Sequence, residues 1–570
     1  MSEYSAGNKF TKRFLIAYAV IFAVAIGLRF ALLGGSLLDD AQADLALQAL
    51  NIKKGNSVTL SGEPGYLVLT ALQFFIFGAS NFMARFWPAL FGSLLVLVPW
   101  LYRDRLGQTS TLLVAAMLAV DPILIGSSRT AMGISLAISG LLAGLGFWRQ
   151  KRWLPAGVCL GSALLGGVEF WPGLLGIILL FLVIRTISAS SSISNHVHFS
   201  LASGWLVLSA SALITWLAIG TLFLAVPEGI SAFGNSLVTY FSSFLKNGRY
   251  SIASLSLAGL ILELPIIIVA FWSLVEGFVK GDKVKKILGL WWGLTLILAL
   301  LEPGNGLFSY SWVSLPMIVL AALQLTAFFS DLQVENPWVL IAEITLVAAM
   351  VIFSFLNLLN LVNNDFLTAE DTRNRMIGTF LPILLLIAMT VLFAWGWSVE
   401  SARKGFVLGF LILFGAGLLA NSWKSAGLGS RPQQELISAS PAVVGQKELM
   451  STVQELSRSK TGTATEIDLQ IAGLASPSLQ WALRDYPHLI TTDFFFPGIG
   501  SSIVLTPISS SIQSQTSYRG QVVTWTSQPI LDGITVKEFL RWAFFRSAPT
   551  HNTQILLWAR NDLFPGVVIP

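Results

Sequence analysis

The feature that most restricts what this chain can fold into is a near-continuous succession of apolar runs, from the amino terminus to about Asn421, broken only by short clusters of Lys and Arg. About 20 apolar residues match the hydrocarbon thickness of a bilayer, and a helix satisfies its own backbone there, so each long run reads as a spanning helix. A content of 54% hydrophobic and 11% charged residues, with a mean hydropathy of +0.72, excludes a string of soluble cores. The expectation is an all-α polytopic membrane domain over residues 1–422 followed by a separate tail, 423–570.

The start, MSEYSAGNKFTKRF, sets Lys9, Lys12 and Arg13 before an apolar run to Leu33 with no small-residue cleavage site. That predicts a retained first helix, amino end inside. Twelve further runs lie near 84–102, 110–127, 131–148, 155–168, 171–185, 201–225, 255–279, 286–302, 311–330, 337–360, 377–396 and 405–422, making about thirteen transmembrane helices. One more run, PGYLVLTALQFFIFGAS at 64–80, is short, opened by Pro64 and closed near Gly78. The bases Arg103/Arg105, Arg149/Lys151/Arg152, Lys280–Lys286 and Arg403/Lys404 belong on the cytoplasmic side, which requires 64–80 to be re-entrant or interfacial. Fourteen full spans would instead put most of those clusters outside. The thirteen-span reading describes a multi-pass protein of the cell membrane with a cytoplasmic amino terminus. Its tail lies outside, with the loops at 34–63, 226–254, 303–310 and 361–376.

The tail opens with a polar stretch, SAGLGSRPQQELISASP, and then alternates helix-like pieces (QKELMSTVQELSRS, SPSLQWALRDY, VKEFLRWAFFRS) with β-rich ones (TEIDLQIAG, SSIVLTPIS, GQVVTWTS, TQILLWAR). A small extracytoplasmic α/β domain fits this pattern. The charge of +5 and pI near 9.2 do not indicate nucleic acid, because the bases sit between apolar runs rather than in one patch. Cys159 is alone, so no disulfide forms within the chain. His196 and His198 fall in a Ser-rich loop and His488 and His551 in the tail, too scattered for a metal centre. No GxxxxGK[ST], HExxH or GxSxG occurs, which removes the signatures of P-loop ATPases, zincin proteases and nucleophile-elbow hydrolases. The pairs Gly140/Gly144 and Gly157/Gly161 predict close helix packing.

Candidate chemistry concentrates in the first outer loop, GGSLLDDAQADLALQAL, where Asp39, Asp40 and Asp44 follow a helix ending near Arg29. A carboxylate at the membrane surface can take the proton of an incoming hydroxyl, and two adjacent acids raise each other's proton affinity. The plainer reading makes Asp40 the N-cap of an amphipathic helix carrying Ala41, Leu45, Leu47 and Leu50, and on composition alone it suffices. Four lone charges in apolar sequence supply context: Arg85, Arg129, Glu169 and Glu302, all on the outer face under thirteen spans. Ionisable groups at membrane depth face a cavity or an interface, and two arginines there could hold a phosphate bidentately. Snorkelling or structural ion pairing is the alternative for each one singly. Asp121, before Pro122, reads first as a helix end.

In order, LRFALLGGSLLDDAQADLALQAL, SGEPGYLVLTALQFFIFGASNFMARFWPALFGSLLVLVPWLYRDRLG and AVDPILIGSSRTAMGISLAISG resemble the GT-C membrane glycosyltransferases, the group of protein O-mannosyltransferases and aminoarabinose–lipid A transferases. The likeness covers roughly residues 20–185 and continues later only as hydropathy. It implies a GT-C-like fold and transfer of a sugar from a polyprenyl-phosphate donor in the membrane lipid to an acceptor protein, glycan or lipid at the outer face. Carried over, Asp40 or its neighbour Asp39 is the catalytic base, and Arg85 and Arg129 lie near the lipid phosphate, with Glu169 and Glu302 as further substrate-binding candidates. The chain departs from the family where Gln42 follows the acidic pair, where Glu63-Pro64 replaces a Lys/His-Pro-Pro approach and where Glu169 stands in for a lysine. No soluble cofactor is implied. A divalent metal ion between Asp39, Asp40 and phosphate is a further option, for which the sequence offers no complete ligand set. Two rivals remain: a lipid or polymer transporter, and a structural subunit that keeps the scaffold without its chemistry.

Overall fold

The computed structural model describes residues 12–56, 60–189, 203–245, 248–302, 306–332, 335–438, 440–495, 500–509 and 517–564. Lys9, the greater part of the Ser-rich loop, and His196 and His198 lie outside them. The amino-terminal half runs α1 (Lys12–Phe30), α2 (Asp40–Lys53), α3 (Pro64–Phe77), α4 (Asn81–Leu95), α5 (Arg103–Val120), α6 (Pro122–Ser128), α7 (Ile134–Arg149), α8 (Trp153–Leu164), α9 (Phe170–Ala189), α10 (Ser203–Gly220) and α11 (Glu228–Ser243). Six long helices complete the bundle: α12 (Ile252–Lys280), α13 (Lys283–Leu301), α14 (Ser311–Ser330), α15 (Pro337–Asn363), α16 (Ala369–Gly396) and α17 (Val399–Trp423). Each of the thirteen apolar runs falls on one of α1, α4, α5, α7–α10 and α12–α17. The chain is a polytopic membrane protein.

Hydrogen bonds set the direction of the first crossings. Tyr18, near the start of α1, donates to Val96 O at the end of α4 (2.8 Å), whereas Arg85, at the start of α4, reaches the loop after α1. Arg29, at the end of α1, donates to Leu118 O and Ala119 O at the end of α5. Hence α4 descends and α5 returns, turning where Gly107 adopts φ +78°. The helix α3 does not follow this pattern. Glu63, just before it, meets Gly133, and Phe74, near its end, stacks on Trp481 of the tail, so both ends stay at one rim. Its 14 residues span about 21 Å, and α8, with 12, is shorter still, so the rim contacts of α3 and not its length set it apart.

The two rims differ in kind. At one, Arg149 pairs with Asp104, Ser110 bonds Thr326, Lys285 bonds Gln324 and Glu276, and Lys404 pairs with Glu400. At the other sit the first loop, the start of α12, the end of α15 and the tail. The small-residue pairs work as expected: a Cβ on Gly157 or Gly161 would collide with backbone oxygens of α10, and one on Gly140 or Gly144 with α8.

The tail forms a six-stranded sheet, β1 (Ala442–Val443), β2 (Leu469–Ala472), β3 (Leu489–Thr492), β4 (Ile503–Pro507), β5 (Tyr518–Pro529) and β6 (Thr550–Arg560), ordered β1-β5-β6-β4-β2-β3. β2 runs parallel to β3 and β4, and the other pairings are antiparallel. α18 (Gln446–Thr461) and α19 (Pro477–Ala482) cover it, burying Leu449, Val453 and Leu479 against Leu469, Ile471, Ile503 and Trp525. The indoles of Trp481 on α19 and Trp542 on α20 (Val536–Phe545) belong instead to the core of the membrane helices. Trp481 Nε1 donates to Asn81 Oδ1 (2.8 Å), Ser251 and Ser254 bond Asp532, and Arg541 and Lys537 pair with Asp365 after α15. Burying two indoles removes apolar area worth several kcal/mol at about 25 cal/mol per Å². The tail is thus fastened to the rim.

Candidate functional site

Asp39 has extended backbone (φ −71°, ψ 174°) and caps α2: its carboxylate accepts from Gln42 N (2.9 Å) and Gln42 Nε2 (2.6 Å). This corrects the expectation that Asp40 is the cap by one residue. The two neighbouring carboxylates consequently point to different partners. Asp40 Oδ1 accepts from Ser476 Oγ (2.9 Å), Ser478 N (3.0 Å) and Ser478 Oγ (2.6 Å), all from the tail, where it closes the first turn of α19. Asp39 instead faces a cavity of about 670 Å³. The two acids do not converge, so they do not fit a shared metal ion, and among the described residues no group of three His, Cys, Asp or Glu does.

That cavity lies between the membrane helices and the tail. Asp39, Gln42, Arg85 and Arg129 line one wall, and Glu435, Ser438 and Lys447 line the other. Burial pushes the Asp39 carboxyl up, opposed by its bonds from Gln42 and Ser438 and by the charge of Arg85. Arg129 follows α6 and donates to Leu28 O (3.1 Å) and Arg29 O (2.8 Å), capping the end of α1, with its Nη2 toward Gly427. Gly427 turns the chain at φ +66°, where a side chain would be strained, and a Cβ there would lie in ordinary contact with that guanidinium. Burial, then the charge of Arg85, lowers Arg129 to about 10, so it stays cationic at neutral pH.

Arg85 has less to offer a ligand. Its Nε donates to Gln42 Oε1 (2.9 Å), Nη1 to Ser36 O (2.6 Å) and Ser36 Oγ (2.8 Å), and Nη2 to Leu37 O (2.8 Å). The fork pins the loop that presents Asp39.

Glu169 and Glu302 occupy the same rim but do not line this cavity. With Glu63 they form a second, acidic group. Glu302 Oε1 accepts from Ser243 Oγ (2.8 Å), Glu63 Oε2 from Gly133 N (2.8 Å), and the backbone O of Glu169 from Trp312 Nε1 (2.9 Å). Glu169 lies close enough to the other two for their charges to repel its own. Burial pushes Glu63 up to about 7 against the Gly133 bond. Asp121, read as a helix end, is the N-cap of α6, accepting from Leu124 N (2.8 Å).

Lys447 escaped the sequence reading because it reads as one more exposed charge at the start of a helix-like piece, and Glu435 and Ser438 because the tail's opening looks like a polar linker. Only the fold shows that it roofs a cavity. The helix α11 was likewise read as loop, although Ala232, Ser236, Tyr240 and Ser243 recur at helical spacing and are buried.

No protein-family model matches the sequence, and no curated protein does. Among solved structures, ArnT from Cupriavidus metallidurans bound to undecaprenyl phosphate superposes with a TM-score of 0.52 at 14% identity, covering 98% of each chain. Its apo state gives 0.51 at 14% identity over 96% of this chain and 99% of that one. This chain has the GT-C fold. The GT-C likeness spans membrane domain and tail together, far beyond the residues whose motifs suggested it. The Archaeoglobus fulgidus oligosaccharyltransferase complex with Zn and sulfate superposes more loosely, with a TM-score of 0.40 at 13% identity over 86% of this chain and 68% of that one.

Proposed function

We propose that this protein transfers a glycosyl group from a polyprenyl-phosphate-linked donor to the hydroxyl of an acceptor protein, glycan or lipid at the outer membrane face. The observation that carries the reading is the sharing of one cavity, between bundle and tail, by a buried carboxylate, Asp39, and two cations, Arg129 and Lys447. The fold supports it as well, since the ArnT structure holds undecaprenyl phosphate. By the positive-inside rule, the rim rich in Lys and Arg faces the cytoplasm, which puts the amino terminus inside and the tail, over 423–570, outside.

In this reaction the acceptor oxygen attacks the anomeric carbon and its proton passes to the Asp39 carboxylate. The bond from that carbon to the phosphate oxygen breaks, and the phosphate leaves with the electron pair. Burial makes Asp39 a stronger base than an exposed aspartate. Arg129 and Lys447 offset charge growing on the leaving phosphate, the kind of preorganised electrostatics that commonly dominates catalysis. Between the two acids, this reading assigns the base to Asp39 and the tail contact to Asp40. Radiolabelled polyprenyl-phosphate sugars, supplied to purified protein and its Asp39→Asn variant, test it. Transfer by the wild type that persists in Asp39→Asn would remove the base.

A second reading, a scaffold subunit without chemistry, draws on Arg85 being bonded throughout to its own loop and on three carboxyl groups occupying the rim beside α9. Absence of transfer with every donor tried favours it.

A further inference from the structure

A second pocket, of about 450 Å³, lies on the far side of the segment that roofs the cavity, with Pro432 and Glu435 in the wall between them. Its charge is one-sided. Lys424, Arg431 and Arg546 line it, against the single carboxylate of Glu435. Arg546 takes up that carboxylate through Nε (2.6 Å) and closes the end of α20 through Nη1 to Ala543 O (2.7 Å). Its Nη2 has no hydrogen-bond partner among the described residues, although the residue is only 2% exposed. Arg546 holds this pose in the left-handed region at φ 49°, which a non-glycine residue adopts only when its surroundings impose it. Lys424 donates to Phe544 O (2.8 Å), and Arg431 stands exposed at the mouth.

The pocket opens at the depth where a lipid head would lie. It begins where α17 ends, at Trp423, which is 54% exposed and sits above the equally exposed Leu419 on the bilayer side of that helix. Amphipathic indoles at span ends mark the head-group layer. A buried guanidinium edge without a protein acceptor, beside two further cations, suits an anion with several oxygens.

We propose that this pocket binds the phosphate of a membrane lipid head group, separately from the cavity that Asp39 lines. A lipid phosphate and free inorganic phosphate share the recognising chemistry, and the exposed apolar side of α17 favours the lipid. The test is native mass spectrometry of the detergent-solubilised full chain titrated with dioctanoyl phosphatidic acid, with inorganic phosphate in large excess as competitor. The wild type should bind the lipid and keep it against phosphate. Arg431→Glu, a surface change, should weaken binding about tenfold or more with unaltered thermal unfolding, and Lys447→Gln, in the other cavity, should leave it unchanged. Equal binding by Arg431→Glu, or loss of binding in Lys447→Gln instead, overturns the pocket. Displacement by inorganic phosphate overturns the lipid as its occupant.

Discussion

The carboxylate of Asp40 accepts both the backbone amide and the hydroxyl of Ser478, 438 positions along the chain, at 3.0 and 2.6 Å. One of two adjacent acids therefore joins the tail to the membrane bundle, and its neighbour, Asp39, is left facing the cavity.

Substitutions at the two positions should separate. Asp39→Asn should lower transfer by about 10²-fold or more, the usual contribution of a general base, with little change in unfolding temperature. Asp40→Ala leaves the Ser478 amide without its acceptor and should destabilise the joint by about 1–3 kcal/mol. Limited proteolysis of the solubilised protein would register this as faster release of the tail. Equal loss of activity in the two variants, without faster cleavage in Asp40→Ala, contradicts the division of roles.

Arg85→Lys should be a folding defect. An ammonium cannot reproduce the planar fork that serves Gln42, Ser36 and Leu37, so buried oxygens lose partners and stability falls by about 2–4 kcal/mol. Thermal unfolding in detergent measures this. A variant that unfolds like the wild type but binds donor poorly would identify Arg85 as a phosphate ligand instead.

Glu63 gives the stability a pH dependence. Its folded value of about 7 lies above the ordinary 4.5, so the native chain holds this proton more tightly than the unfolded chain does. Its contribution is complete below pH about 4.5 and is lost as the pH rises through 7, a change of about 3 kcal/mol. Glu63→Gln should unfold at a higher temperature than the wild type at pH 8 and at a similar one at pH 4. Parallel curves for the two proteins across that range would refute the assignment.

Gly157→Leu should damage the bundle more than the same change at Gly415. A Cβ at Gly157 meets Ser211 and the Leu208 carbonyl on α10, whereas at Gly415 nothing lies within 4 Å. Overpacking of this kind costs about 1–3 kcal/mol and sometimes more. The share of monodisperse protein in size-exclusion chromatography compares the two.

Much of this architecture was legible because the bilayer imposes one length and one composition on every crossing. The apolar runs that became helices needed no tertiary information. In the tail, alternation marked β4, β5 and β6, and an amphipathic pattern marked α18 and α20, whereas β3, with only four residues and a half-exposed face, gave no such signal. The site was less legible. Asp39 and Asp40 are chemically identical neighbours, and only the distant Ser476 and Ser478 distinguish them. Arg85 and Arg129 look alike as lone charges in apolar sequence, yet the backbone of the first loop takes up nearly all of Arg85 and leaves one edge of Arg129 toward the cavity. Glu169 and Glu302 join Glu63 because α9 begins and α11 and α13 end at one rim, a matter of packing that no local pattern records.

The wall that carries Glu435, Ser438 and Lys447 comes from the part of the chain synthesised after α17. Without that part the chamber stands open on one side and lacks one of its cations, Lys447. Only once the tail has folded and seated Trp481 and Trp542 do the two walls meet, so a chain cut short after α17 holds Asp39 and Arg129 with nothing enclosed between them.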